Sequence, residues 1–326
     1  MKNFFIGFTH YDTSVCVVNS VLLQYLPKGK YKANYSGGGL KRRLNSYWNI
    51  LTSKRIVISG IFLSRSEVRL MKLLRKKIIY LMHGSYTMET GKQSPTEQYV
   101  RRVADCIVSV SRVHAAMIAK ESPEQASKIA VWFNGVDWRT IGGIKKETGR
   151  FERDLNKIVL FGGGRNMKGN LEVCRAVERL NNEQGMNLTV DVYGEMRDDD
   201  FSNQIAEIPC VNYKPLMPRD KINYELAKAG LFIANSHFDT FNLALMDAIG
   251  VGCNVLFSKN VGAKDVIPAR TDDDIIFDVT NIDEIMQKIN NVLLYPNNAR
   301  LDASIDRDAT SWEKRAIELH EIVSKI

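Results

Sequence analysis

The chain has 326 residues, of which 44% are apolar and 25% charged, and this length predicts two globular domains rather than one. It contains no uninterrupted run of about 18 apolar residues, and its N-terminus soon turns polar, so we expect neither a membrane-spanning helix nor a signal peptide. The five cysteines are widely spaced and form no C-x-x-C pair, which indicates free thiols and no zinc site. We therefore expect a cytoplasmic protein.

The net charge of +8 is unevenly distributed along the chain. Residues 1–150 contain 25 Lys and Arg against 9 Asp and Glu, a net +16, whereas the remainder contains 20 against 28, a net −8. This asymmetry predicts that the first half meets an anionic surface or partner. The aromatic residues do not alternate with basic ones as a stacking platform for nucleic acid would require. An anionic membrane surface is therefore the better candidate, and nucleic acid is not expected.

In the first half, short apolar runs alternate with helical patterns, which predicts β-α units around a parallel sheet. The runs lie at residues 4–8, 55–62, 77–82, 106–111 and 128–133.

One helical pattern of this half, at residues 65–77, has a basic stripe opposite three leucines. The stripe consists of Arg65, Arg69, Lys72 and Lys76, and the leucines are Leu70, Leu73 and Leu74. Such a helix either lies against anionic lipid or packs its leucines on the sheet and leaves its basic face to solvent.

A polar, glycine-containing stretch at 142–156 is interpreted as the linker between an N-terminal domain at 1–145 and a C-terminal domain at 150–326. Six further apolar runs follow it, at residues 157–163, 188–194, 210–214, 231–236, 254–258 and 274–279. The pattern predicts two doubly wound parallel-sheet α/β domains with a cleft between them, the second ending in a C-terminal helix. Ligands of such sheets bind at the carboxyl ends of the strands.

The segment after the run at 231–236 carries two carboxylates. Asp239 precedes a helix that we predict to open near Phe241, and Asp247 lies within that helix. The free amides of the helix N-terminus, at Thr240, Phe241, Asn242 and Leu243, can hold a phosphate. Asp239 can then accept from hydroxyls beyond the phosphates and Asp247 from a ribose. The alternative is that Asp239 only caps the helix and Asp247 is an ordinary helical carboxylate.

This segment resembles the family-4 glycosyltransferases, retaining enzymes of the GT-B fold with a Glu-x7-Glu signature followed by Ala-x-x-x-Gly. Here the motif stands as Asp239-x7-Asp247 and then Ala248 to Gly252. Each Asp is shorter than Glu by one C–C bond, about 1.5 Å. The resemblance continues through residues 104–111, 134–137, 161–169, 191–195, 211–216 and 310–316. It implies two facing Rossmann-like domains, with the donor held mainly by the second.

The resemblance also implies roles for individual residues. Catalytic roles fall to Arg165, Lys168, Asp239 and His83. Donor-binding roles fall to Gly163, Gly164, Gly194, Lys214, Pro215, Leu216, Thr240, Phe241, Asn242, Leu243 and Asp247.

Arg165 and Lys168 belong to the glycine-rich loop FGGGRNMKG, where two fixed cations can stabilise a leaving diphosphate without magnesium. His83, at the end of the run KIIYLMH, would position the donor sugar. The alternatives are two solvated loop cations and an ordinary structural histidine. The family's Gly-Gly loop near the first strand is replaced by THYDTS, with His10 closing that strand, and no role is transferred to Gly37 to Gly39.

No cofactor and no metal ion are expected. The acidic triplets at 198–200 and 272–274 resemble the metal-binding D-x-D of another glycosyltransferase fold. Both precede polar or helix-starting segments, where capping and solvation explain them.

The sequence thus favours a hexosyltransferase that uses a nucleoside-diphosphate sugar and a glycan or lipid-linked acceptor in cell-surface polysaccharide or glycoconjugate synthesis. The resemblance implies retention, with a phosphate oxygen taking the acceptor proton, so we name no protein base. We expect it in the cytoplasm or peripherally on the inner face of the membrane. Two alternatives stay open: a nucleotide-sugar epimerase, and a catalytically silent protein that binds a sugar nucleotide or a partner.

Overall fold

The computed structural model describes residues 2–7, 14–33, 40–61, 63–84, 94–149, 152–197 and 199–326. The chain divides into two compact units, Met1–Gly135 with Asp308–Ile326, and Val136–Arg307. Each unit contains a six-stranded parallel sheet with helices around it. The predicted α/β architecture of two parallel-sheet domains is therefore confirmed.

The strands of the first unit follow the apolar runs of the sequence, with one short strand added. They are β1 (Asn3–Ile6), β2 (Tyr31–Ala33), β3 (Arg55–Ser59), β4 (Lys77–Met82), β5 (Cys106–Ser109) and β6 (Ile129–Val131). Their order is β2-β1-β3-β4-β5-β6, and all neighbours are parallel. β1 and β5 are buried along their whole length, as expected for a parallel sheet covered on both faces.

The helices described in the N-terminal part of this unit are α1 (Ser14–Tyr25), α2 (Leu40–Thr52), α3 (Arg65–Leu73), α4 (Pro95–Val103) and α5 (Arg112–Glu121). α3 begins where Ser64 and Glu67 form a capping box. Its Val68 and Met71 belong to the buried cluster that also contains Ile56 of β3. Within the described ranges, no helix has the length and apolarity needed to cross a membrane.

The strands of the second unit are β7 (Asp154–Phe161), β8 (Thr189–Tyr193), β9 (Val211–Lys214), β10 (Ala229–Ala234), β11 (Asn254–Ser258) and β12 (Ile275–Ile276). Their order is β12-β11-β10-β7-β8-β9, all parallel. The chain builds outward from β7 to β9 and then returns to place β10 on the other side of β7. This reversal leaves a crevice at the carboxyl ends of β7 and β10, where doubly wound sheets bind ligands.

The helices of the second unit connect and flank these strands. They are α6 (Trp138–Thr148), α7 (Asn170–Gln184), α8 (Asp200–Glu207), α9 (Arg219–Lys228), α10 (Leu243–Val251), α11 (Ile282–Leu294) and α12 (Asn298–Ser304).

The C-terminal helix, α13 (Trp312–Lys325), belongs to the first unit and not to the second, where the sequence had placed it. The rings of Trp312 and Trp132 lie 6.5 Å apart, and the indole nitrogen of Trp132 donates to the carbonyl of Arg315 at 2.7 Å. The Tyr31 hydroxyl lies 3.0 Å from Nδ1 of His320. These long-range contacts hold the end of the chain against the first sheet.

The described residues of the predicted interdomain linker, 142–149 and 152–156, do not form a linker. Its first part lies in α6, whose N-cap Asp137 accepts a hydrogen bond from the amide of Thr140 at 3.0 Å. Ile141 and Ile144 bury the inner face of this helix. Tertiary packing therefore outweighs the low helix propensity of two adjacent glycines, and the division between the units falls at Gly135.

Gly142 and Gly143 can be replaced by alanine to stabilise α6. A Cβ at either position would meet nothing within 4 Å, and Gly in a helix interior is less favourable than Ala by about 0.5–1 kcal/mol. We expect Gly142→Ala/Gly143→Ala to raise the Tm by about 2–6 °C in thermal unfolding.

Gly250→Ala in α10 is the matched control, because its Cβ would lie 2.6 Å from Cγ2 of Ile141. It should lower the Tm. A lower Tm for the Gly142/Gly143 variant would show that α6 is not held as a regular helix.

Candidate functional site

The crevice at the carboxyl ends of β7 and β10 contains two loops, 162–169 and 235–242, which carry most of the residues predicted to bind a donor. Two hydrogen bonds between the loops fix their separation. Nδ2 of Asn235, a fully buried residue, donates to the carbonyl of Gly169 at 3.1 Å. The amide of His237 donates to the carbonyl of Met167 at 3.0 Å. These hydrogen bonds therefore hold the two loops together without a ligand.

Lys168 and Asp239 form an ion pair across these loops. Nζ of Lys168 lies 2.6 Å from Oδ2 of Asp239, and their side chains are only 23% and 13% exposed. Two residues predicted from separate motifs are thus in direct contact. At this burial, the low local dielectric strengthens their attraction relative to a surface pair.

Asp239 does not cap the helix that follows it. Its carboxylate accepts from Nδ2 of Asn242 at 3.1 Å and from the amide of Phe241 at 3.3 Å, in addition to Lys168. The cap of α10 is Asn242, whose Oδ1 accepts from the amide of Leu245 at 2.9 Å. The simpler alternative for Asp239 therefore fails, and α10 begins at Leu243 rather than near Phe241.

Asn242 holds this arrangement in an unusual backbone conformation. Its φ of 71° lies in the left-handed region, where Asn is tolerated better than most residues. From this position one side chain caps the helix and also holds Asp239. The ring of Phe241 is buried, and its amide is already bonded to Asp239. The amide of Leu243, the first residue of α10, has no acceptor within the helix and keeps the predicted capacity to bind an anion.

Arg165 adds a second cation beside Lys168. Its side chain is exposed, and its Nε donates to the carbonyl of Gly162 at 3.2 Å. A Cβ on Gly162 would lie 2.7 Å from Cγ of Lys168 and 3.1 Å from Nη2 of Arg165. The guanidinium and the lysine stem therefore meet at one point at the end of β7. This site is suited to an anion with more than one negative charge.

Gly163 and Gly194 pack the loops that follow β7 and β8 against each other. Gly163 has a φ of 57°, and its amide donates to the carbonyl of Tyr193 at 3.0 Å. A Cβ on Gly194 would lie 2.4 Å from the nitrogen of Gly163. Gly164 packs on Ser202 in the same way. The amide of Gly163 is therefore already bonded, and the contact of this residue with the donor stays a prediction.

Lys214, Pro215 and Leu216 lie at the end of β9, the edge strand of the sheet. The Lys214 carbonyl accepts from the amide of Gly194 at 3.1 Å, which aligns this segment with the loop after β8. The side chain of Leu216 is 71% exposed. It is available to contact an apolar part of a ligand at this edge.

Asp247 forms a bidentate ion pair with a residue that the sequence analysis missed. Arg219, the first residue of α9, donates through Nε to Oδ2 at 2.9 Å and through Nη2 to Oδ1 at 2.8 Å. Burial acts to lower the pKa of Arg219, but the charge and hydrogen bonds of Asp247, together with Asp137, hold it above its ordinary value. A cation in the first turn of a helix interacts unfavourably with the helix dipole. The position of Arg219 in the sequence was therefore the signal that it has an acidic partner.

His83 follows the last residue of β4 in the first unit, at the carboxyl edge of that sheet. The Ser59 hydroxyl donates to Oδ1 of Asn19 at 2.5 Å and lies 2.9 Å from Nε2 of His83. Burial lowers the pKa of His83 to about 4, so the ring is neutral at pH 7. His10, Gly37 to Gly39 and Asp198 lie outside the described residues.

The acidic triplets serve structural roles in the described part of the chain. Asp199 caps α8 through the amide of Ser202 at 2.9 Å. Asp274 caps its short helix through the amide of Thr271 at 2.7 Å, as expected, but it is buried and paired with Arg300 at 2.8 Å rather than solvated. Among the described residues, no group of three His, Cys, Asp or Glu side chains could hold a metal ion.

The fold and the sequence both have known counterparts. The Anabaena protein Alr3699/HepE in complex with UDP-glucose has a TM-score of 0.71 at 13% identity, with both chains fully covered. The UDP-forming α,α-trehalose-phosphate synthase of Burkholderia xenovorans in complex with glucose-6-phosphate has a TM-score of 0.74 at 11% identity, covering 99% of this chain and 100% of that chain. A glycosyltransferase from Rickettsia africae ESF-5 has a TM-score of 0.71 at 13% identity, covering 99% and 98%. These similarities confirm the predicted GT-B fold.

No curated protein sequence matches the chain significantly. The model of the family described as "Glycosyl transferases group 1" matches residues 144–310, which include both loops of the crevice, Arg219 and Asp247. Since this match spans just over half of the chain, the protein belongs to the glycosyl transferases group 1 family and is a glycosyltransferase.

Proposed function

We propose that the protein transfers a hexosyl unit from a nucleoside-diphosphate sugar to a glycan or lipid-linked acceptor, with retention and without a metal ion. The contact between Lys168 and Asp239 is the observation that carries this proposal. A glycosyl donor breaks between its sugar and its diphosphate. The site therefore needs two groups side by side: a carboxylate that accepts hydrogen bonds from the sugar hydroxyls, and a cation that binds the phosphates. The 2.6 Å pair provides both at the crevice of the second sheet.

In this proposal, Arg165 and Lys168 oppose the charge that grows on the leaving diphosphate. Lys168 has three N–H donors and uses one on Asp239, so the others remain for phosphate oxygens. Asp239 keeps lone pairs for sugar hydroxyls, and its three contacts hold it in place before the donor binds. Such preorganised groups need little rearrangement during the reaction.

For retention, the acceptor oxygen bonds to the sugar C1 on the face that the diphosphate leaves. The bond from C1 to the phosphate oxygen breaks, and the acceptor proton passes to a phosphate oxygen. The proposal therefore assigns no protein base. The complexes of similar structures contain UDP and UDP-glucose, so UDP-glucose is the first donor to test.

The proposal also places the enzyme in polysaccharide or glycoconjugate synthesis, in the cytoplasm or peripherally on the inner face of the membrane. The net +16 of residues 1–150 supports this location, because anionic lipid attracts such a charge.

Arg219 determines how Asp247 can contact a ribose. Asp247 is 3% exposed and each of its oxygens accepts from Arg219, whose side chain is 33% exposed. A ribose hydroxyl can therefore use only the remaining lone pairs of an oriented carboxylate. We assign ribose binding to the pair as a unit, with Arg219 as the positioning residue.

Turnover of UDP-glucose should persist in EDTA, because Arg165 and Lys168 take the place of a metal at the diphosphate. The glycosidic product should keep the configuration of the donor at C1, as measured by NMR. Loss of activity that Mg²⁺ or Mn²⁺ restores, or an inverted product, would contradict the proposal.

Arg165→Ala and Lys168→Ala should each lower kcat by a factor on the order of 10² to 10³, since they act on charge that develops in the transition state. Asp247→Ala should instead raise the KM for the donor, because a ribose contact is similar in the ground and transition states. Steady-state kinetics separates the two patterns. Arg175→Ala is the matched control, since Arg175 is an exposed cation bonded to Gln204 on α8. Near-normal kcat for both cation variants would place the diphosphate elsewhere.

Arg219→Ala should destabilise the protein by up to about 3 kcal/mol, because it leaves the buried charge of Asp247 without a partner. The double variant Arg219→Ala/Asp247→Ala should lose less than the sum of the two single variants, since no buried charge remains. Urea unfolding measures these differences, and the donor KM of Arg219→Ala should rise. Additive losses with an unchanged KM would show that Arg219 does not position Asp247.

A further inference from the structure

The outer face of α2 carries an apolar stripe that is exposed in the structure. Leu44, Tyr47, Trp48 and Leu51 recur at helical spacing on one face about 100° wide. Leu44 is 60% exposed and Trp48 is 64% exposed. Single exposed apolar residues are common, but four contiguous ones, two of them aromatic, indicate an interaction surface.

This exposure does not come from a poorly packed helix. The opposite face of α2 is buried through Ser46, Asn49 and Ile50. The Ser46 hydroxyl donates to Oε1 of Glu67 on α3 at 3.2 Å, and Nζ of Lys76 donates to the carbonyl of Leu51 at 2.8 Å. The inner face therefore holds α2 in the first unit, and the outer face remains exposed.

The surroundings of this stripe are strongly basic. Residues 40–76 contain ten Lys and Arg and a single acidic residue, Glu67, which is bonded to Ser46 and to its own helix cap. On α3, the side chains of Arg65, Arg69 and Lys72 are exposed, and Leu73 beside them is 80% exposed. We call the outer faces of α2 and α3 together the α2–α3 surface.

The sequence had placed a lipid contact on α3 alone. Its Leu70 and Leu74 pack against the buried cluster of the sheet, so the alternative of a core helix is correct for them. α3 thus supplies cations, whereas α2 supplies the apolar side chains.

We propose that the α2–α3 surface docks on an anionic bilayer, with Leu44, Trp48 and Leu51 entering the headgroup region and the basic residues of both helices contacting lipid phosphates. This proposal rests on the membrane association given under the proposed function and assigns it a surface. Helices that lie in the membrane interface combine Trp and Leu on one face with Lys and Arg nearby. Trp and Tyr favour the headgroup level. The cations of α2 and α3, with Glu67 already bonded to Ser46, make the surface complementary to anionic lipid.

Vesicle sedimentation of the full chain tests this proposal. Binding to phosphatidylcholine vesicles that contain phosphatidylglycerol should exceed binding to phosphatidylcholine alone by about tenfold or more, and high salt should reduce it. Leu44→Gln/Trp48→Gln should lower the binding by about tenfold, because the inserted area is lost. The control Leu294→Gln/Tyr295→Gln removes two apolar side chains of the second unit that are more exposed still, and it should leave binding unchanged.

Fluorescence gives a second measurement. Trp132 and Trp312 are buried, and Trp138 is half-buried beneath the Arg307 guanidinium in the second unit. A blue shift on adding anionic vesicles should therefore come mainly from Trp48 and be lost in Leu44→Gln/Trp48→Gln. Equal binding to neutral and anionic vesicles, or binding that both apolar variants leave unchanged, would overturn the docking surface. So would self-association of the wild type that Leu44→Gln/Trp48→Gln abolishes, since a second copy would then cover the stripe.

Donor turnover without vesicles separates this proposal from the proposed function. Leu44→Gln/Trp48→Gln should keep wild-type turnover of UDP-glucose. If the wild type turns over the donor but does not bind anionic vesicles, docking fails and the transferase proposal stands. If vesicle binding follows the pattern above but no nucleoside-diphosphate sugar is turned over, the proposed transfer fails and the docking surface stands.

Discussion

The ion pair between Lys168 and Asp239 exists because β7 and β10 are neighbours in the second sheet. The strands are far apart in sequence, and the chain must complete β8 and β9 on one side before it returns to β7. This reversal brings two loops from opposite sides of the switch point to the same crevice. Without that strand order, loop 162–169 with its cations and loop 235–242 with Asp239 would not meet. Neither loop alone provides both the cation and the carboxylate of a glycosyl-donor site.

Several weaker contacts keep this pair in position. Asn242 holds Asp239 and caps α10 from a left-handed backbone conformation, while Asn235 fastens the two loops. Arg219 orients Asp247 in the same unit through two hydrogen bonds. These interactions organise charged groups without a ligand, and such preorganisation lowers the reorganisation that a transfer reaction would otherwise require.

The two units differ in the chemistry they present. The second unit concentrates charge inside a crevice, where burial strengthens each interaction. The first unit spreads cations and a stripe of apolar side chains over α2 and α3, where each contact is weak and only the sum can hold a surface. The crevice of the second unit suits a small soluble donor, whereas the surface of the first unit suits an extended anionic partner. The charge asymmetry of the chain reflects this difference.

The sequence by itself determined the parallel-sheet architecture, most strands, the strand-end position of His83 and the order of the donor motifs, because burial and periodicity are local properties of the chain. Only the tertiary structure revealed that Arg219 pairs with Asp247, that residues 142–148 continue a helix, and that α13 returns to the first unit. It also showed that Leu44 and Trp48 face outward. The core takes the face with Ser46, Asn49 and Ile50, which apolar periodicity alone would not select. These outcomes depend on contacts between residues distant in sequence, which no local pattern encodes.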